Sequence, residues 1–173
     1  MRKLMMYAAL AAPLFLAACG GDKKAETDQA STTDTTAAAL PEVSAPAATV
    51  SNTVDLTGND QMKFNVTEIR VKAGEEVTLT LKNIGTMPKE SMAHNFLLLG
   101  GGTDVEAFAM KAMVAKDSEY VPAEMKSSVL AHTKLVGPGE STTIKFTVPA
   151  GTYDFICSFP GHYASMRGKL IAE

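Results

Sequence analysis

Cysteine and histidine are scarce in this chain, two and three residues among 173, and tryptophan is absent. Two cysteines cannot build the disulfide framework that staples small secreted scaffolds. Basic residues are not in excess either. Sixteen Lys and Arg stand against 19 Asp and Glu, a formal net charge of −3, so the basic face that nucleic-acid binding calls for is missing. The apolar stretch from Leu4 to Leu16 is shorter than the ~20 residues a membrane-spanning helix takes, and no internal repeat is apparent.

What is present at the start is a short address. Arg2 and Lys3 precede the apolar stretch, which ends in small residues before Cys19. Charged, apolar and small-residue regions in that order read as a secretory signal over residues 1–18. The final L-A-A-C resembles a bacterial lipobox, which implies cleavage before Cys19 and lipidation of its thiol; an ordinary signal cut near Ala18 is the alternative. Gly20, where Asp would favour retention at an inner membrane, points to the outer membrane. From there to about Ser51 the chain is Ala, Thr, Ser, Asp, Glu and Pro with few large apolar side chains. Such a segment buries too little surface to offset its ordering entropy. Residues 19–51 therefore read as a lipid-anchored disordered tether. It would reach on the order of 100 Å fully extended and ~30 Å as a flexible coil.

Residues 52–173 read as one all-β domain. Val77, Leu79 and Leu81 alternate with polar neighbours, as do Ile144, Phe146 and Val148, and Tyr153, Phe155 and Cys157 share one parity. That is the period-two signature of half-buried strands. Turn signals at Gly58-Asn59-Asp60, Ala73-Gly74, Gly137-Pro138-Gly139 and Pro149-Ala150-Gly151 separate them, a spacing that suits a sandwich or barrel. Residues 104–128 differ: Val105, Phe108, Ala109 and Ala112, with Met113 and Lys116 beyond, suit a helix, and Glu124–Ser128 a further turn. A helical flap inserted into a β-sandwich is expected. Gly100-Gly101-Gly102 ahead of it is followed by no Lys-Ser/Thr and reads as a flexible joint rather than a phosphate loop.

The segment C-S-F-P-G-H-Y-A-S-M places Cys157, His162 and Met166 within ten residues. Cys157 ends a strand, Met166 begins the next, and Pro160-Gly161 turns the loop between them. Such a loop can aim a thiolate, an imidazole and a thioether at one point. A fourth donor has to come from elsewhere in the sheet, and His94, at the head of the apolar run H-N-F-L-L-L, is the candidate. The remaining histidine, His132, lies among polar residues and reads as a surface or strand-end residue. Singly, a Met is usually core filler and a His usually a hydrogen-bonded structural residue. Jointly, two histidines, one thiolate and a weak methionine form the donor set of a type 1 blue-copper electron-transfer site, since sulfur donors suit Cu(I) and imidazole also suits Cu(II). Zinc also accepts Cys and His, but methionine is a poor zinc ligand. A Cys–His nucleophilic pair has no use for Met166 or His94.

These residues closely resemble the azurin family of small bacterial blue-copper proteins, the cupredoxins. The likeness covers essentially all of residues 52–173: G-N-D-Q-M at 58–62, M-P-K at 87–89, H-N-F at 94–96, A-H-T-K-L at 131–135 and C-S-F-P-G-H at 157–162. Four residues between Cys157 and His162, and three between His162 and Met166, is the family's loop spacing. With the lipobox and linker, the whole resembles a lipid-modified azurin form.

The resemblance implies a Greek-key sandwich holding one copper by His94, Cys157 and His162, with Met166 as a distant axial ligand. It implies a weak backbone carbonyl contact from Ala93, where the family typically has glycine, and Asn95 as a hydrogen-bonding neighbour of the thiolate. His162 would be the electron exit, its edge reaching the surface through an apolar docking patch of Met62, Met87, Met92, Phe159, Pro160 and Gly161. Partners would be redox proteins: cytochromes, or a copper- or haem-containing reductase or peroxidase. The domain would face the periplasm from the outer membrane, or be exposed at the cell surface. The implied activity is one-electron transfer and not an enzymatic reaction; a copper nitrite reductase would need a second copper site with more histidines than remain. A periplasmic copper carrier or buffer using the same ligands is the alternative. Three departures from the family stand out. Its disulfide pair is missing, with Asn52 and Glu75 near those places; its core tryptophan is absent; and Asn83 stands about where a second, pH-linked histidine is common.

Overall fold

The computed structural model describes residues 49–173. The signal reading of residues 1–18, the lipidation of Cys19 and the tether reading up to residue 48 lie outside the described residues. Ahead of Asn52, the chain is already tied to the domain: Val50 bridges Arg70, and the Ser51 N–H donates to the Arg70 carbonyl at 2.9 Å.

Eight strands form two mixed sheets. The smaller holds β1 (Thr53–Gly58), β3 (Val77–Asn83) and β6 (Ser141–Phe146) in the order β1-β3-β6. The larger holds β2 (Glu68–Val71), β4 (Leu97–Leu99), β5 (Val129–His132), β7 (Gly151–Ile156) and β8 (Arg167–Ala172) in the order β2-β8-β7-β4-β5. β1 runs parallel to β3 and β2 parallel to β8; every other pairing is antiparallel. The chain crosses between the sheets five times, the connectivity of a Greek-key cupredoxin sandwich.

The alternating residues point as their periodicity requires. Val77, Leu79 and Leu81 are fully buried, with Leu56, Phe96, Phe155 and Leu170 among the residues packed in the same core. β4 is apolar throughout, because all three of its leucines are buried. Such a run is what a strand covered on both faces requires.

The flap is the expected helical insertion. α2 (Val105–Ala112) starts at Asp104, whose carboxylate accepts from the Ala107 N–H at 3.0 Å, a standard N-cap. Its buried face is Phe108, Ala109 and Ala112. Two 3-10 turns follow at Lys116–Ser118 and Ala123–Ser128. A short helix, α1 (Lys89–Met92), was not legible in the pattern, being four residues long. No helix among the described residues is long and apolar enough to cross a membrane.

Asn52 makes a polar tie across the fold: its Oδ1 accepts from the Lys72 N–H at 2.7 Å. Glu75 forms an exposed 3.8 Å ion pair with Lys72.

Candidate metal centre

At one end of the sandwich the ligand loop is closed at its base and turned by its own backbone. The Cys157 N–H donates to the Met166 carbonyl at 2.9 Å, just beyond the β7–β8 ladder. Gly161 sits at φ 83°, a left-handed position that suits a residue without Cβ. The His162 N–H donates to the Phe159 carbonyl at 3.0 Å, and the Met166 N–H returns to the His162 carbonyl at 2.8 Å. Cys157, His162 and Met166 all face inward as a result and are buried.

His94 arrives from the other side of the site. It precedes β4 and does not begin it: the strand runs from Leu97, and His94 is held by an isolated two-way bridge with Val136. Its Nε2 lies 3.1 Å from the Asn59 carbonyl. A carbonyl can only accept, so Nε2 carries the proton and Nδ1 keeps its lone pair. That Nδ1 has no partner, the sole such case among buried side-chain nitrogen and oxygen atoms of the described residues. An orphaned buried acceptor is costly unless something unseen satisfies it.

The ligand atoms of His94, Cys157 and His162 lie within 4.8 Å of one another. Cys157 Sγ and His162 Nδ1 are 3.6 Å apart. Bonds of roughly 2.0–2.3 Å from nitrogen and sulfur to one shared first-row ion require about this spacing. Met166 is beside them, since a Cβ built on Gly58 would lie 2.6 Å from His94 Cδ2 and 3.2 Å from the Met166 methyl. Ala93 is buried at φ −77°, ψ 154°, ordinary extended backbone that alanine adopts without strain. His132 is exposed at the end of β5 and outside the group.

Burial sets the protonation of the metal-free centre. It pushes the Cys157 thiol up to about 12, partly offset by the Asn95 and Phe159 backbone N–H groups directed at the sulfur. It pushes His162 down to about 4, with the nearby His94 adding to the effect. His94 is also lowered by burial, against the opposing Asn59 carbonyl and Asp60 carboxylate. At neutral pH the site is therefore a neutral thiol and two neutral imidazoles, all three with lone pairs to offer. This donor set fits a single copper.

Asn95 is fully buried and braces the segment after Cys157. The Ser158 N–H donates to its Oδ1 at 2.9 Å, and its Nδ2 donates to Ser158 Oγ at 3.0 Å. The surroundings of His162 differ from the expectation. His162 is only 2 % exposed, and two of the six patch residues, Met92 and Phe159, lie beneath the surface at 9 % and 8 %. The Phe159 ring packs on His162, centroids 4.8 Å apart, so it shields the imidazole rather than flanking it. Met87 and Gly161 are exposed, and Met62 and Pro160 are half-buried.

Sequence reasoning missed Asn59 and Asp60 as site residues and saw only a turn. Asp60 accepts from the Thr86 N–H and Oγ1 and from the Met87 N–H, at 2.8, 3.0 and 3.3 Å. Those bonds, the Thr86 backbone first, hold its carboxyl below the usual range. The G-N-D-Q-M motif was the available signal.

The fold and centre define a cupredoxin with one buried His-Cys-His metal site. The chain belongs to the family of copper-binding proteins that includes plastocyanin and azurin, whose model matches residues 48–173. It is 38% identical over 134 residues to azurin of Pseudomonas aeruginosa, covering 74% of this chain and 89% of that one. It is 44% identical over 117 residues to outer membrane protein H.8 of Neisseria gonorrhoeae. That match takes in 65% of this chain and spans only 62% of the Neisseria protein. Among solved structures, a dithionite-reduced auracyanin of Roseiflexus castenholzii superposes with a TM-score of 0.65 at 34% identity, covering 72% of this chain and 99% of that one. An azurin of Methylomonas sp. strain J gives 0.63 at 35% identity, covering 70% and 97%.

Proposed function

We propose that this protein is a periplasm-facing one-electron carrier that shuttles electrons between redox partner proteins through a single type 1 copper. The carrying observation is the convergence of a buried thiol and two neutral imidazoles, one with an unpartnered Nδ1, on a point walled off from water. Bound copper supplies a Cu(II)/Cu(I) couple with no bond made or broken in a substrate.

The chain's own residues would do the rest. Cys157 gives up its proton and offers a thiolate; His94 and His162 offer Nδ1, the former aimed by the Asn59 carbonyl. Met166 would be a weak thioether donor to the metal and the Ala93 carbonyl a weak oxygen contact. Asn95 keeps the segment after Cys157 from shifting between oxidation states. Partners would dock over Met87, Gly161, Met62 and Pro160, with Met92 and Phe159 shaping the surface from below. Small, weak interfaces are typical of electron-transfer pairs, and methionines adapt to more than one partner. Cytochromes, or a copper- or haem-containing reductase or peroxidase, are the partner class.

We place the domain at the outer membrane, tethered through lipidated Cys19 and the linker that ends before Val50. The L-A-A-C motif and the name of the Neisseria relatives support this. Globomycin-sensitive processing and palmitate labelling, lost in Cys19→Ala, test it; unlabelled wild-type protein would remove the anchor.

The test of the centre is an optical spectrum of the Cu(II)-loaded protein beside that of Cys157→Ser. An intense visible thiolate-to-copper band, bleached on reduction and absent in the variant, is expected. A colourless copper-binding protein, or one that surrenders copper readily to a chelator, would replace the electron carrier by a copper carrier or buffer.

A further inference from the structure

The outer side of the ligand loop rests against a strained turn that the proposed function leaves without a role. Glu119 and Tyr120, in the flap, are consecutive non-glycine residues at positive φ, 55° and 63°. Left-handed backbone is sterically disfavoured for a residue with a Cβ, and a bulky residue there is an outlier. Such geometry persists only where the surroundings over-determine it, and it clusters at functional sites. Here the Tyr120 N–H donates to the Ala115 carbonyl at 2.8 Å and the Glu119 N–H to the Lys116 carbonyl at 3.0 Å. Ser118 Oγ closes the turn from the other side on the Val121 carbonyl at 2.7 Å.

Held this way, the turn makes two directed contacts with the metal centre's supports. The Glu119 carbonyl accepts from Asn95 Nδ2 at 3.0 Å, the same side chain that holds Ser158. The Tyr120 ring, 7 % exposed, meets Phe159 edge-on with centroids 5.2 Å apart at 68°. Phe159 in turn packs on His162. One strained turn thus reaches both residues that follow Cys157, one through a hydrogen bond and one through an aromatic edge.

We infer that the Glu119–Tyr120 turn is a positioning element for the copper-ligand loop, fixing Ser158 through Asn95 and His162 through Phe159. The flap is then part of the redox centre's frame and not an ornament on the sandwich. The inference deepens the blue-copper reading and rests on it for its redox consequence, while its mechanical part concerns the metal-free chain.

The experiment uses the full chain in two variants. Tyr120→Leu removes the aromatic edge on Phe159 while keeping the site apolar. Phe108→Leu weakens the same flap from a buried position in α2, outside the turn. Amide hydrogen exchange at Ser158 and His162 is followed in the metal-free protein, and the reduction potential in the copper-loaded one, alongside Tm. In Tyr120→Leu the His162 amide, which loses its support through Phe159, should exchange on the order of tenfold faster, the factor one modest lost interaction implies. The Ser158 amide, still held through Asn95, should change less. The relative affinity for Cu(II) and Cu(I) should change roughly three- to tenfold, at about 59 mV per tenfold for one electron. Phe108→Leu should lower Tm and leave both readouts unchanged. The inference is overturned if Tyr120→Leu lowers Tm without moving His162 exchange, or if Phe108→Leu moves it equally. Should the loaded wild-type protein show no one-electron couple, the blue-copper reading fails while metal-free exchange still decides the positioning role.

Discussion

Cys157 Sγ lies 3.6 Å from His162 Nδ1, a thiol facing an imidazole nitrogen, both buried. In isolation such a contact could be a nucleophile and its base. Burial argues otherwise: with the thiol pushed up to about 12 and the imidazole down to about 4, the proton stays on sulfur and no reactive thiolate forms. What overcomes that preference is a cation. Metal sites displace protons from thiols on binding, so the contact is a site waiting for charge rather than one that generates it.

The first prediction follows from that proton. At pH 7–8 both imidazoles are already neutral, so Cu(II) loading should release one proton per copper, from Cys157. Calorimetry in buffers of different ionisation enthalpy measures it directly. Apparent affinity should rise about tenfold per pH unit across this range, as displacement of a single proton requires. Release of none, or persistence of one in Cys157→Ser, would show that the thiol is not a ligand.

The metal-free protein should be acid-sensitive in a defined window. A histidine has an ordinary value of 6.5, while folded His162 stands at about 4 and His94 is also lowered. Between those values the unfolded chain binds more protons than the native one, so stability falls as pH falls. The contribution is fully present above pH 6.5 and is lost as pH drops towards 4. Thermal melts of the metal-free protein should therefore decline from pH 7 to 4.5. The carboxylates Asp60, Glu124 and Glu140, also lowered, add their losses further down. Copper-loaded protein should hold its Tm through the upper part of the window, where the metal occupies the imidazoles. Equal declines for both forms would mean these histidines do not govern the response.

Gly58 is required by a close approach rather than by its backbone angle. A Cβ there would lie 2.6 Å from His94 Cδ2 and 2.9 Å from its Cγ. Gly58→Ala should push the His94 ring off its position while the sandwich survives, costing about 1–3 kcal/mol in overpacking. Copper affinity should drop at least tenfold, roughly what 1.4 kcal/mol of ligand displacement implies, with a shifted charge-transfer band. An unchanged spectrum at unchanged affinity would mean that the ring is free to yield.

The centre was more legible than its supports, and for a physical reason. Three of its donors lie on one short loop, where spacing alone brings them together, and their chemistry singles out copper. His94 stood out as a polar break in an apolar run. The supports are tertiary: Asn59 meets His94 across 35 residues, and Asn95 meets Glu119 across 24. No local pattern encodes such meetings, and a carbonyl acceptor leaves no trace in residue identity at all. The strands were visible through alternation, but alternation is silent on partners, so the parallel pairings of β1 with β3 and β2 with β8 could not be read from it. Burial of Phe159 and Met92 was equally hidden, because the loop's surface residues and its packing residues are both apolar.

Asn83 is a buried amide that braces the backbone beside the centre. Fully buried at the end of β3, its Nδ2 donates to the Met92 and Val136 carbonyls at 3.1 and 3.2 Å, and its Oδ1 accepts from the Gly85 N–H at 2.8 Å. Val136 is the residue bridged to His94, so the amide ties the end of one sheet to the backbone that carries a ligand. An amide does not titrate, and no proton can be taken up at this position near neutral pH. Asn83→Leu strands the Met92 carbonyl and the Gly85 N–H, while the Val136 carbonyl keeps the His94 N–H, a loss of about 2–4 kcal/mol from unsatisfied buried groups. Denaturant titration of the metal-free variant should show that loss with the m-value unchanged. Asn83→His should be tolerated better if one ring nitrogen donates to a carbonyl, and it should add a pH-dependent step to the reduction potential that the native chain lacks. A native protein whose potential steps with pH as the histidine variant's does would place the responsible proton elsewhere and end the structural account of Asn83.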